Sequence, residues 1–457
     1  MRDLVLLAFI AAFAGMGFRR PFFWVLLYIY VDIVTPQKIG YGLITSISLS
    51  LLCFVAAFAG YVLLDSKQGS RFTLRQGLIV ALLGWCAVTT YVLADFPEAA
   101  ATKWDWVWKS LVFAAFLPLT LRTKLRLESA ALIMVLAAGT IIISGGIKTL
   151  FSGGGGYGEL ASLVTDNSGL YEGSTLSTVA VAMIPLTLWV AKYGSVFTER
   201  RLAMLFAVAL VFASLLIPVG TQTRTGLICI ALLGVLMLRS VKHRFLYAGM
   251  AGLALLAAVP FLPASYTERM STIGSYQGDE SASTRVAVWQ WTIDYVQANP
   301  LGGGFDAFLG NSFSYNTRVV EDNGSTETVT YHQVTDQGRA YHSAYFEVLG
   351  EQGFLGFGLW LTLQGLGLWQ MERIRRRYRA SVDPDEVRWR ALATALQHGQ
   401  LVYLVGAAFV GVGYQPFMFM LLGLQIALYT LMQRDWSGQQ GVARPWLRDA
   451  VPAGAPA

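Results

Sequence analysis

Apolar residues fall along this chain in long blocks, and short charged connections separate the blocks. A typical block is GLITSISLSLLCFVAAFAGYVLL, from Gly42 to Leu64. About 20 consecutive apolar residues let a helix cross roughly 30 Å of hydrocarbon. A membrane β-barrel would instead alternate apolar and polar positions over segments of about ten residues, and these blocks do not alternate. The pattern predicts crossings near residues 42–64, 77–94, 106–121, 130–149, 174–195, 202–219, 225–239, 245–262, 343–370, 391–412 and 415–432. At the start, Leu4 to Phe18 makes a helix only about 22 Å long. Arg19-Arg20-Pro21 interrupts it before Pro21 to Val34, and the two pieces together read as one broken crossing. The expectation is an all-α polytopic membrane protein of about twelve transmembrane helices.

Composition agrees, with 55% hydrophobic and 14% charged residues among 457. The net charge of +6 does not indicate a nucleic-acid partner, because Lys and Arg cluster in the short connections, where membrane topogenesis places them. Lys67, Arg71 and Arg75, then Arg122, Lys124 and Arg126, then Arg200 and Arg201, then Arg239, Lys242 and Arg244, and finally the run from Arg373 to Arg379 mark cytoplasmic sides. Segments 95–105, 150–173 and 263–342 then lie outside. The last is one large periplasmic loop, expected to contain amphipathic helices. The chain thus divides into N-terminal transmembrane helices (1–262), the loop (263–342), C-terminal transmembrane helices (343–432) and a disordered cytoplasmic tail (433–457). Cys53, Cys86 and Cys229 sit inside apolar blocks and read as small buried hydrophobes. No small-residue cleavage site follows the first apolar stretch, so the first helix stays attached. Trp104, Trp106 and Trp108 mark a membrane boundary.

Chemistry concentrates on the outer side. Val286, Trp289, Ile293 and Val296 repeat at spacings of three and four, which predicts a helix ending at Asn299-Pro300 and Gly302 to Gly304. With Ser283 or Thr284 as its N-cap, the helix begins near Arg285. A guanidinium beside free helix N–H groups suits a phosphate, although a surface salt bridge, for instance to Asp279 or Glu280, is the plainer account of it. Arg224 lies in the short outer turn GTQTRTG, against the positive-inside bias, and is either a snorkelling interfacial side chain or a functional cation. His342, where the loop re-enters the membrane, has the right chemistry for a base but also for a merely structural role. Glu351 follows about 13 Å along the same helix and faces the interior as a supporting group. His332 is a weaker candidate, mid-loop among polar residues. His243 and His398 read as structural.

The stretch YHSAYFEVLGEQGFLG, from Tyr341 to Gly356, resembles the His-containing motif of the O-antigen ligase and polymerase superfamily. TQTRTGL resembles that family's outer-face Arg motif, and STRVAVWQWTIDYVQANPLGGG resembles its Arg, Trp, Pro-Leu-x-Gly segment. The first 36 residues further resemble the exosortase-associated O-glycosylation ligases. The resemblance implies a glycosyltransferase of the bacterial inner membrane, with its site on the periplasmic face, that moves O-antigen or a related oligosaccharide from undecaprenyl diphosphate to a hydroxyl of lipid A core. Its partners would be that donor, that acceptor and membrane lipids. His342 would be the general base, with Arg224 and Arg285 on the diphosphate. Inverting transfer without cofactor or metal is expected, since no HExxH, paired Cys ligands or outer carboxylate cluster at metal spacing occurs. An O-antigen polymerase or protein O-oligosaccharyltransferase of the same superfamily fits the same motifs. A flippase of lipid-linked glycans fits a bare membrane bundle, but it would place charges at midplane in paired broken helices.

Overall fold

Two helices that reverse on each other open the chain. α1 (Arg2–Arg19) and α2 (Phe22–Val34) meet through Phe9 with Tyr30, Phe13 with Phe23, and the Trp24 indole donating to the Ala14 carbonyl. These pairs run in opposite sequence directions, so the segment is a helical hairpin and not the one broken crossing expected. Pro21, with no N–H to continue α1 and a φ suited to a helix start, initiates the second arm. The computed structural model describes residues 2–152, 169–197, 199–239, 242–258, 266, 280–322 and 327–442. Most of the Gly-rich outer segment 150–173, the partner Asp279 offered to Arg285, and the tail beyond residue 442 lie outside it.

The bundle continues through the short α3 (Pro36–Ile39), α4 (Leu49–Ala59, prolonged by a π-turn through Leu64), α5 (Leu74–Tyr91), α6 (Pro97–Thr120) and α7 (Lys124–Ser152). Next come α8 (Gly173–Tyr193), α9 (Arg200–Gly220), α10 (Arg224–Leu238) and α11 (Arg244–Ala258). By length and apolar composition, five helices suffice to cross a membrane: Leu74–Tyr91, Lys124–Phe151, Gly173–Tyr193, Arg200–Gly220 and Pro416–Trp436. Phe22–Val34, Leu49–Leu64 and Arg224–Leu238 are shorter apolar helices. This measure does not reach the expected count of about twelve among the described residues.

The loop contains α12 (Glu280–Ala298) and then two strands, β1 (Ser312–Asp322) and β2 (Glu327–Gln337), paired antiparallel from Ser312 opposite Gln337 to Asp322 opposite Glu327. The hairpin corrects the expectation of helices alone. Its Thr-, Val- and Tyr-rich strands flank Asn323-Gly324, a hairpin signal that the apolar-block reading passed over. α12 begins before Ser283 and Thr284, so neither is its N-cap and Arg285 does not stand at its first turn.

After the loop come α13 (Ala344–Arg377), α14 (Pro384–Gly406) and α15 (Pro416–Val442), the last taking in residues 433–442 of the expected tail. α8 and α15 are the most enclosed of the five spanning-length helices, α8 against α14, α9, α7 and α10, and α15 against α6 and α13. α13 is broken at Gly353, where φ is +62° and ψ −168°, a backbone region open in practice to glycine alone. A break frees backbone groups that apolar surroundings cannot satisfy. The Pro300–Gly304 loop satisfies them: Gly303 N donates to Gly350 O (3.2 Å), Gly304 N to Glu351 O (3.0 Å), and Phe354 N to Pro300 O (3.0 Å). A Cβ at Gly302 or Gly353 would collide with the opposite backbone, so these glycines make the docking possible.

Candidate functional site

The docked loop brings Asp306 to the start of α13, where the side chains of Glu347 and Glu351 point inward from one face, four residues apart. All three carboxylates converge on Lys103 of α6. Its ammonium lies 2.7 Å from Glu351 Oε1, 2.8 Å from Glu347 Oε1 and 3.4 Å from Asp306 Oδ1, and faces the rings of Phe305 and Tyr414. Asp306 N donates to Glu351 Oε1 at 3.0 Å, and Gly413 N donates to Glu347 Oε2 at 2.8 Å. Glu351 is fully buried, on the interior as the sequence suggested. Its role there is to tie α6, the docked loop and α13 into one unit. Low dielectric makes such a cluster costly unless its charges are paired and hydrogen-bonded; one ammonium serves three carboxylates here, and the buried Glu351 Oε2 has no partner among the described residues.

Above this cluster opens a cleft of about 460 Å³. Its walls include Lys103 and Trp106 from α6, Glu172 and Thr175 from the start of α8, Asp306 and Phe308 from the docked loop, and Tyr341 and His342. Glu172 is the N-cap of α8, its carboxylate accepting from Ser174 N (3.0 Å) and Thr175 N (2.6 Å), which fixes it at the rim.

His342 occupies the corner between β2 and α13 with φ +47°, a left-handed conformation uncommon outside glycine. Two contacts hold that corner. The Trp289 indole of α12 donates to the Tyr341 carbonyl at 2.9 Å, and its ring stacks on Phe346 with centroids 4.9 Å apart. Trp289 thus fastens α12 to the head of α13, and Arg285, one turn earlier on α12, comes within electrostatic range of His342. The imidazole is open to the cleft, and among the described residues no side chain hydrogen-bonds to it. Surrounding protein and then the charges of Arg285 and Arg339 disfavour the imidazolium, while Glu172 favours it. The net effect holds the His342 pKa below the ordinary histidine value. The ring is therefore a neutral acceptor at neutral pH.

Arg224 stands elsewhere. It is the first residue of α10, following Thr223, and the preceding turn packs on the head of α8, where a Cβ at Gly173 would touch Thr221 and Thr223. Ser177, Thr221 and Thr223 join the two helices through mutual hydroxyl contacts of 2.8–3.2 Å. Arg224 is half-buried and is not part of the cleft lining. The helix N-terminus expected at Arg285 is found at Arg224. His332 lies mid-strand opposite Thr317.

Sequence reasoning missed Lys103, Glu172, Asp306 and Arg339. Glu172 had a signal in the Glu-Gly-Ser-Thr start of an apolar run, and Asp306 one in its closeness to the glycine stop. Lys103 had none, because its partners are more than 200 residues away.

Residues 209–361 match the family model described as O-Antigen ligase, and residues 1–195 match a family described as of unknown function. Arg224, Arg285, His342 and the Gly353 break fall in the first match, while Lys103 and Glu172 fall in the second. Comparison with curated proteins finds no match.

Proposed function

We propose, from the match of residues 209–361 to the O-Antigen ligase family model, that the chain is a glycosyltransferase of the ligase and polymerase type and transfers O-antigen or a related oligosaccharide from undecaprenyl diphosphate to a hydroxyl of lipid A core. The cleft opens on the periplasmic face of the bacterial inner membrane. The observation that carries the reading is His342, neutral and open at a cleft with Arg285 within electrostatic range.

In this reading the acceptor hydroxyl gives its proton to an imidazole nitrogen of His342 as its oxygen attacks the anomeric carbon. The bond from that carbon to the diphosphate oxygen breaks on the opposite side, inverting the configuration, and undecaprenyl diphosphate leaves with the electron pair. A diphosphate leaving group needs cations more than a protonating acid. Arg285 supplies one, and Arg224 a second, backed by the free N–H groups of the first turn of α10. Glu351 acts through Lys103 and the docked loop as a positioning residue, and His332 stays the weaker candidate on β2. No metal enters these steps.

Purified protein incubated in detergent with lipid-linked donor and lipid A core should ligate the two, in excess chelator as well as without it. His342→Ala should lower the rate about a hundred- to ten-thousand-fold while the protein remains folded. Near-normal ligation by that variant removes His342 from the reaction. Transfer only to a second lipid-linked glycan, or only to a polypeptide hydroxyl, would reassign the chain to a polymerase or a protein O-oligosaccharyltransferase. Transport cannot produce ligation in detergent, so a flippase would leave both substrates unchanged.

A further inference from the structure

At the other end of α5 a guanidinium is buried without a counter-charge among the described residues. Arg75 is 1% exposed. Its Nη1 donates to Gln370 Oε1 at 3.0 Å and its Nη2 to Gln425 Oε1 at 3.1 Å. Gln425 in turn donates to Gln400 (2.9 Å), and Gln400 to Gln364 (2.8 Å). Every member of this relay is a neutral amide, and the buried Arg75 Nε has no partner among the described residues. Gly367 leaves room for the relay, since a Cβ there would strike both Gln425 and Arg75.

Other arginines at this end are matched differently. Arg122 and Arg126 share Asp65 at 2.8 and 2.6 Å, Arg388 pairs with Glu128, and Arg375 with Glu372 at 2.8 Å. A cation that serves only to fix topology can stay in the aqueous connection, as Arg71 does. Burying one costs several kcal/mol unless an anion accompanies it.

Beside Arg75 lies a pocket of about 370 Å³ whose described lining contains Arg71, Thr73, Gln370, Thr430 and Gln433 but no carboxylate. Its flank is apolar and outward-facing: Leu74 is 76% and Trp369 55% exposed. Arg75 and Thr89, whose hydroxyl donates to Gln352 beside the α13 break, are about 21 Å apart along α5. The pocket is therefore separate from the His342 cleft.

We propose that this pocket binds a phosphate group, with Arg75 and Arg71 as its cations. The phosphate comes either from an anionic lipid headgroup, whose chains would run along Leu74 and Trp369, or from free inorganic phosphate. Arginine suits this task because its fork of N–H groups matches phosphate oxygens, and the amide relay holds that fork in place.

The test uses delipidated full-length protein in neutral detergent, titrated separately with phosphatidylglycerol, phosphatidylcholine and inorganic phosphate, with occupancy read by native mass spectrometry. One phosphatidylglycerol per chain should be retained, bound about tenfold more tightly than phosphatidylcholine. Arg71→Ala should weaken it about fivefold. Gln433→Glu, which places a carboxylate in the pocket, should weaken it at least as much, and Arg75→Met should abolish it. Saturable inorganic phosphate binding lost in the same variants, with no lipid preference, would assign the free ion as the source. Equal retention of both lipids without phosphate binding, or anion binding unchanged by Arg71→Ala and Gln433→Glu, overturns the proposal and leaves Arg75 as a staple between helices. These two variants alter exposed or rim side chains, so the result stands even if Arg75→Met fails to fold.

Discussion

The two ends of the bundle hold buried charge in opposite ways. At the cleft end, one ammonium sits among three carboxylates, each with an oxygen within 3.4 Å of it, and backbone N–H groups donate to Glu347 and Glu351. At the Arg75 end, one guanidinium sits among glutamines and has no carboxylate among the described residues. A cation ringed by carboxylates has its field taken up within the fold. A cation compensated only by amide dipoles keeps its field, and that field is available to an anion.

The largest consequence concerns removal of the central cation at each end. Lys103→Met leaves two buried carboxylates and the half-buried Asp306 facing one another and should cost about 3–5 kcal/mol, read as a lowered unfolding midpoint. Arg75→Met leaves only amide oxygens unpaired and should cost about 1–3 kcal/mol. The reverse order would show that the Arg75 relay is the stronger structural joint, and the contrast between the ends would fall.

A smaller effect tests whether the cleft end depends on its broken helix. Gly353→Ala forces a Cβ against Pro300 and Leu301 at a φ of +62° and should cost roughly 1–3 kcal/mol. Transfer should fall with it, because Asp306 reaches Glu351 only through the docked loop. Unchanged stability and transfer would mean that the loop is not held by the break.

The smallest expected effect is on pH dependence. In the proposed mechanism His342 acts as a base when neutral, and its pKa lies below the ordinary value, so kcat/KM should rise with pH through that lowered pKa and level off before neutrality. Arg339→Ala removes one of the charges that disfavour the imidazolium, so the acid limb should move to higher pH. Arg285→Gln should move it in the same direction, with a loss of rate from weaker diphosphate binding. A limb that stays in place in both variants would show that these charges do not reach the imidazole.

The helical nature of the chain, the positions of most helices, and His342 and Glu351 as residues to examine could all be read from the sequence. Apolar blocks and basic connections are local records of hydrocarbon length and topogenesis, and each needs only a short window of chain. Even the helix that carries Trp289, and its end at Asn299-Pro300, followed from spacing. What lay beyond that reach came from contacts between distant segments. The reversal at Pro21 shows in side-chain pairs across α1 and α2, the docking of Pro300–Gly304 needed a break in α13 to receive it, and the helix N-terminus expected at Arg285 is found at Arg224. Lys103 with its three acids, and Arg75 with its four glutamines, were settled only by tertiary structure. A charge in a sequence carries no mark of its partner, and only the folded bundle decides whether that partner is a carboxylate, an amide or a ligand.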